Sequence, residues 1–266
     1  DASPIILLLI LRSNSGFMDS KPQHQGENMK ISNTRDASGD TLKMLVYGEP
    51  GAGKTTLAGT IGEPTLIISA EAGLLCLQGK DIDVVDISQD DDGNLIPKEM
   101  RIDRLGEVYE FLLTEEAKKR YRWVFLDSLT ETNQVLMDKL YLEFPEKSQA
   151  LPMFGENSRR MRSLIKSFRD IPYSVVMTAL AKQEKDQDNQ KYIGPNLVGS
   201  IADTVAGFFD IVMYLHVNTD KETGETTRQL VTSKTDRLVV KDRSGKLEKY
   251  EEADISKIAA KIRAVE

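Results

Sequence analysis

The octapeptide Gly48-Glu49-Pro50-Gly51-Ala52-Gly53-Lys54-Thr55 has the residue types and spacing to grip phosphate. Its glycines let successive backbone N–H groups turn inward around anionic oxygens. Lys54 adds a formal positive charge, and the Thr55 hydroxyl is an oxygen ligand for Mg2+. The candidate cradle runs Gly48, Glu49, Pro50, Gly51, Ala52, Gly53, Lys54, Thr55 and Thr56. A loop that merely shares this spelling is the alternative, and the flanks argue against it. Leu42 to Tyr47 is a short apolar run suited to a buried strand, and Thr56 to Ile61 can open a helix whose start adds positive dipole.

A phosphate cradle hydrolyses nothing alone. It needs a carboxylate near the metal and a group that orients water. Arg122-Trp123-Val124-Phe125-Leu126-Asp127-Ser128 supplies the first. Its apolar residues push Asp127 to the carboxyl end of a buried strand, where ligands bind in open α/β sheets. Thr55 and Asp127 are the expected magnesium ligands; helix N-capping is the competing role for Asp127. Many ATPases of the AAA+ type place Glu directly after this Asp, whereas Ser128 stands there, which counts against that class. Leu66-Ile67-Ile68-Ser69-Ala70-Glu71 offers another carboxylate: Glu71 would end the neighbouring strand and polarise water for in-line attack. An exposed loop carboxylate is the alternative for Glu71.

These groups need a scaffold, and the pattern from residue 41 onward alternates strand and helix. Candidate strands are 42–47, 65–69, 82–87, 122–127, 173–179, 208–217 and 227–233. The first five are mostly aliphatic runs with few alternating polar positions, as expected of parallel strands covered on both faces. Candidate helices are 54–61, 102–120, 129–142, 155–169, 197–207 and 254–264, with Pro152 and Pro172 bracketing the fourth and its connecting loops. Alternation of this kind predicts an α/β fold with a doubly wound, mostly parallel sheet. The last two strands, joined by a polar turn, predict an antiparallel C-terminal edge hairpin.

The motif order is cradle, strand ending Ser-Ala-Glu, strand ending Asp-Ser, then a late Val240-Lys241-Asp242-Arg243-Ser244-Gly245. Over residues 42–250 or so it resembles RecA-type P-loop ATPases. It is similar in particular to the short, recombinase-like single-strand-annealing ATPases of bacteriophages, often described only as AAA-domain proteins. The resemblance implies a RecA-like fold and ATP with Mg2+ as cofactors. It implies catalytic roles for Lys54, Asp127 and, on the lytic water, Glu71. Lys241 and Arg243 resemble the Lys-Asn-Arg-Phe-Gly element of bacterial RadA proteins, with Asp242 in place of Asn and Ser244 in place of Phe. In such assemblies basic side chains reach the nucleotide of the neighbouring subunit. The implied state is a homo-oligomer, ring or filament, with ATP between subunits, in the cytoplasm of a bacterial host. A solvated Asp-Arg-Ser-Gly turn is the alternative for this segment. Thr178 at a strand end, or Gln183, would sense the γ-phosphate.

Single-stranded DNA is the implied partner in recombination or replication. Arg159, Arg162, Lys166 and Arg169 lay a basic stripe along helix 155–169 that could track phosphates. A solvated helix face is the alternative. The polar loop 181–192 offers Lys182, Lys185 and Lys191 to phosphates and Tyr192 to a base, although Glu184, Asp186 and Asp188 nearly cancel the charge. Ser88, Asp90, Asp92, Gly93 and Glu99 fall at calcium-loop spacings, but position one lacks Asp and a strand precedes it, so an acidic turn is expected.

The chain has 266 residues, 40% of them hydrophobic, enough for one large domain, 41–266. Its net charge of -7 argues against a wholly basic nucleic-acid coat. One cysteine precludes an intramolecular disulfide, and with two histidines a zinc site is not expected. Cys76 lies in an apolar stretch and is expected to fill core; the redox reading is a reducing, intracellular compartment. Ile5 to Leu11 is apolar but far too short to span a bilayer, so no membrane partner is expected. Residues 1–40 read as a disordered polar leader, with Met18 or Met29 as alternative starts. A nucleotide-dependent module that recruits a helicase, nuclease or packaging partner with little turnover is the second reading. A metabolic phosphotransferase is the third.

Overall fold

The computed structural model describes residues 41–71, 73–185, 189–233 and 237–264. The leader reading and the Asp186 and Asp188 charges lie outside these residues. Ten strands form one sheet: β1 Lys43–Gly48, β2 Thr65–Ser69, β3 Asp83–Asp86, β4 Trp123–Asp127, β5 Ser174–Lys185, β6 Lys191–Pro195, β7 Ile211–Thr219, β8 Thr226–Val231, β9 Lys241–Asp242 and β10 Tyr250–Glu252. The order is β10-β8-β7-β1-β5-β4-β2-β3, and the run from β7 to β3 is parallel throughout. β8 and β10 add antiparallel edges, β6 folds back on β5, and β9 pairs the start of β7. The expected doubly wound, mostly parallel sheet with an antiparallel C-terminal edge is what the chain adopts.

Alternate side chains of the parallel strands enter two cores, so both faces are covered. Leu45, Leu66, Ile68, Val124, Leu126, Val175 and Met177 meet helices α1 (Arg101–Leu112), α3 (Leu129–Glu143) and α4 (Ala150–Asp170). Met44, Val46, Ile67, Phe125 and Val176 meet the short helix Thr55–Thr60 and the C-terminal α6 (Ile255–Arg263). Truncating a fully buried ring such as Phe125 would remove contacts on the second face, typically worth about 3–5 kcal/mol.

Several elements differ from the sequence reading. The expected helix 102–120 is two, α1 and α2 (Glu115–Arg120), because Thr114 turns extended and its hydroxyl caps Ala117 N–H at 3.3 Å. Helix 54–61 is a six-residue 3₁₀ segment; Thr55, Thr56, Gly59 and Thr60 are weak α formers. Helix 197–207 shrinks to α5 (Ile201–Thr204) and one 3₁₀ turn, Val205–Phe208. α4 starts at Ala150, not 155, because Pro152 falls in its first turn, where no intrahelical donor is lost. The polar loop 181–192 is largely a hairpin: β5 runs on to Lys185 and β6 returns from Lys191. Cys76 is exposed rather than core; in its segment only Leu77 is buried.

The basic stripe of α4 is mostly engaged within the fold. Arg159 pairs with Glu156, Arg169 with Asp170, and Lys166 lies over the Phe208 ring at 5.2 Å. Arg160, turned towards the buried side of α4 and only 4% exposed, joins Glu143 and Glu156. Hydrogen bonds from Arg159, joined by Arg160, outweigh partial burial and hold Glu156 down at about 2. A depressed carboxylate stabilises the fold fully above its ordinary value near 4.5 and loses that contribution as pH falls towards about 2. Denaturant titrations should therefore show the stability gap between the parent and Glu156→Gln closing across that window. A gap independent of pH would contradict the pairing.

Candidate nucleotide site

The cradle leaves β1 at the carboxyl edge of the sheet. Gly48 must be glycine because a Cβ there would sit 2.9 Å from Leu215 O. Gly51 and Gly53 have φ of 75° and 102°, conformations that turn the loop back on itself. A Cβ on Gly53 would also press on Arg228 Nε at 3.1 Å. Arg228, on β8, donates from Nε to Ala52 O at 3.0 Å and so braces the loop from the edge hairpin. Because the following 3₁₀ segment is short, the loop amides and Lys54 carry the attraction for anions more than a long helix dipole does.

Lys54 is 6% exposed, and its ammonium donates to Gly48 O at 3.1 Å and Glu49 O at 3.0 Å. Burial lowers its pKa, while the charges of Glu71, Asp127 and Glu49 pull it back up. Thr55 Oγ1 donates to Asp127 Oδ2 at 2.5 Å, and Thr178 Oγ1 donates to Asp127 Oδ1. Asp127 is 3% exposed and ends β4, as its apolar run required. It is not the helix cap: Ser128 takes that place, accepting Glu131 N–H at 3.3 Å. Thr178, fully buried, holds the carboxylate rather than reaching into the cleft.

A hydroxyl beside a carboxylate suits Mg2+, which takes one or two protein oxygens and completes its shell with phosphate and water. Among the described residues no group of three or more His, Cys, Asp or Glu side chains is placed to hold a metal. The calcium-spaced segment is a turn, with Asp90 accepting Asp92 and Asn94 N–H at 3.0 and 2.8 Å.

Glu71 follows β2, next to β4, and its Oε1 accepts from Ser128 Oγ. The serine that replaces the AAA+ glutamate thus holds a carboxylate from the adjacent strand. A cleft of about 800 Å³ opens beside the cradle and is lined by Lys54, Thr55, Glu71, Cys76, Arg101 and Glu131, among others. Sequence reasoning missed the last two. Ser128-Leu129-Thr130-Glu131 spells a capping box, which hides Glu131 as a cap partner; its carboxylate faces the cleft instead. Burial, then the Glu71 charge, raises its pKa.

Two expected groups lie elsewhere. Lys241 donates to Phe209 O at 2.6 Å, and Arg243 pairs with Asp210 at 2.9 Å. Asp210 N–H bonds Lys43 O at the amino end of β1, about 16 Å along that strand from Gly48. Neither side chain reaches the cradle of its own chain. The Asp242 carboxylate accepts Ser244 N–H at 2.8 Å, so the segment forms the polar turn that was its alternative reading. Gln183 lines a separate cavity of about 570 Å³ with Gln190, Lys191 and Arg237.

A family model described as an AAA domain matches residues 40–244. Among solved structures, a KaiC-like protein from the hyperthermophilic archaeon Pyrococcus horikoshii OT3 matches at 14% identity, covering 73% of this chain and 79% of that one, with a TM-score of 0.38. A likeness at that score decides nothing about function. No curated protein matches. Among the described residues no helix is long and apolar enough to cross a membrane.

Proposed function

The chain belongs to the AAA-domain family, and from the geometry of its cradle we propose that it binds and hydrolyses Mg-ATP. The observation that carries this reading is the convergence of Lys54, the Thr55–Asp127 pair and Glu71 on one cleft. Loop amides and Lys54 would hold the phosphate oxygens. Thr55 and Asp127 would hold Mg2+, which neutralises phosphate charge when bound. Glu71, kept in place by Ser128, would accept the proton of the attacking water. Lys241 and Arg243 would act on the nucleotide of a neighbouring copy in a ring or filament, since their own cradle is at the other end of the sheet.

The proposed role is action on single-stranded DNA in phage recombination or replication. Its support is the β5–β6 hairpin. β1 ends opposite Leu180, but β5 continues to Lys185, so the hairpin extends beyond the edge that carries the nucleotide. Near its tip Lys185 and Lys191 are directly paired across the strands. Like charges so placed repel, and a phosphate backbone relieves that repulsion. Phosphate release is to be measured with and without single-stranded DNA over a salt series. Stimulation that fades steeply with salt is expected. A slow, DNA-blind rate would favour the nucleotide-dependent recruiting module, and absence of nucleotide binding would overturn both.

A further inference from the structure

The wall of the cleft away from the cradle carries a cation that the roles above leave unused. Arg101 opens α1, and Glu131 lies in the first turn of α3; both line the cleft that Lys54 and Glu71 line. Their fields connect across it. Lys54 feels the Glu71 charge, Glu131 feels Glu71 as well, and Arg101 draws Glu131 back towards its ionised form. These groups therefore share one electrostatic compartment.

Arg101 is one of several arginines, with Arg122, Arg162, Arg228 and Arg237, that close no ion pair among the described residues, and of these it is the one that lines the cleft. Arg104, Arg160, Arg169 and Arg263 each close an ion pair at 2.9 Å or less. Arg101 closes none among the described residues, and its Nε donates to Ile96 O at 3.2 Å. That bond steadies the side chain and leaves its two Nη groups without a hydrogen-bond partner among the described residues. The cleft also has a charge problem. A terminal phosphate entering it meets the Glu71 and Glu131 carboxylates, while Lys54 is held among the loop carbonyls. A second cation from the same chain offsets that repulsion, and Arg101 is the cleft-lining residue able to supply it.

We propose that Arg101 is a catalytic cation provided in cis, binding the terminal phosphate across the cleft from Lys54. The proposal rests on the ATPase reading above. In the step it assists, the oxygen of water bonds to the γ-phosphorus. The bond from that phosphorus to the bridging oxygen breaks, ADP leaves with the electron pair, and the water proton passes to Glu71. Arg101 stabilises the charge on the non-bridging oxygens; an arginine in that position, in cis or in trans, speeds transfer by about 10³–10⁵ in other phosphoryl-transfer enzymes. The planar fork of arginine matches phosphate oxygens in a way a lysine point charge does not.

Calorimetry on the full chain with Mg2+ tests this, using ADP and a non-hydrolysable ATP analogue as probes. Arg101→Ala should weaken the analogue at least about tenfold while leaving ADP affinity unchanged. Arg101→Lys should recover part of the loss, and unchanged ADP binding certifies that the variant is folded. Equal analogue affinity in parent and Arg101→Ala would overturn the proposal. So would a parallel loss of ADP binding, which would assign Arg101 to the shape of the cleft. A parent that binds neither nucleotide would instead remove the ATPase reading itself.

Discussion

Lys54→Ala is expected to abolish the heat of Mg-ATP binding at micromolar protein and to cut hydrolysis by on the order of 10²–10³ or more. The side chain is 6% exposed, and its ammonium is clamped by two loop carbonyls beside the cleft, so its position is set before any ligand arrives. Such pre-organisation is what makes a buried cation effective, because no solvent shell must rearrange when charge develops. Glu71, Asp127 and Glu49 all favour its charged form against the cost of burial. The fold should survive the change: the two carbonyls released lie at the cleft, where water can replace the ammonium. A circular-dichroism melt separates loss of binding from loss of structure. A folded Lys54→Ala protein that hydrolyses ATP at the parental rate would remove the site assignment. Lys54→Arg should also be poor, since its larger planar head does not fit between Gly48 O and Glu49 O.

The features legible in the sequence were those written locally. The cradle is contiguous, and its glycines are needed for reasons of backbone shape that the spacing states directly. Asp127 was legible because four apolar residues before it dictate a buried strand, and a strand end is a defined place in an open sheet. Most parallel strands likewise announced themselves as largely apolar runs, whereas β3, Asp83–Asp86, is bounded by acids at both ends. What was not legible depended on contacts between distant segments. Thr178 grips Asp127 across 51 positions, and Arg228 braces Ala52 across 176. Neither residue has a local pattern that names its partner. Arg101 and Glu131 are a third case, since each sits at a helix start and reads as ordinary helix-end chemistry until packing turns it to the cleft. Cys76 misled in the opposite sense, its apolar neighbour Leu75 being itself exposed and Leu74 only partly buried against the core. For the α4 stripe, periodicity reports which side chains share a face and says nothing of the acids that meet Arg159 and Arg169.

Glu71→Gln is expected to bind Mg-ATP within about threefold of the parent and to lose on the order of 10²–10⁴ in turnover, the range for removing a general base. The substitution keeps length and shape, and its amide oxygen can still accept from Ser128 Oγ, so the local bond that orients the side chain persists. What disappears is the capacity to take a proton from water. Ser128→Ala makes the complementary change: the carboxylate remains but loses its tether, and a smaller fall, about tenfold, is expected. Ser128 also accepts Glu131 N–H as the cap of α3, so the serine variant should melt earlier, whereas Glu71→Gln should not. Rapid-quench measurements of a single turnover distinguish chemistry from product release in both. A parental rate in Glu71→Gln would return Glu71 to the status of a loop carboxylate and make Glu131 the next candidate base, since burial and the neighbouring charge already favour its protonated form. A parent whose own single turnover is as slow as that of the variant would instead mark a protein that holds ATP as a state signal. The same pair of curves therefore decides between an ATPase and a nucleotide-gated recruiting module.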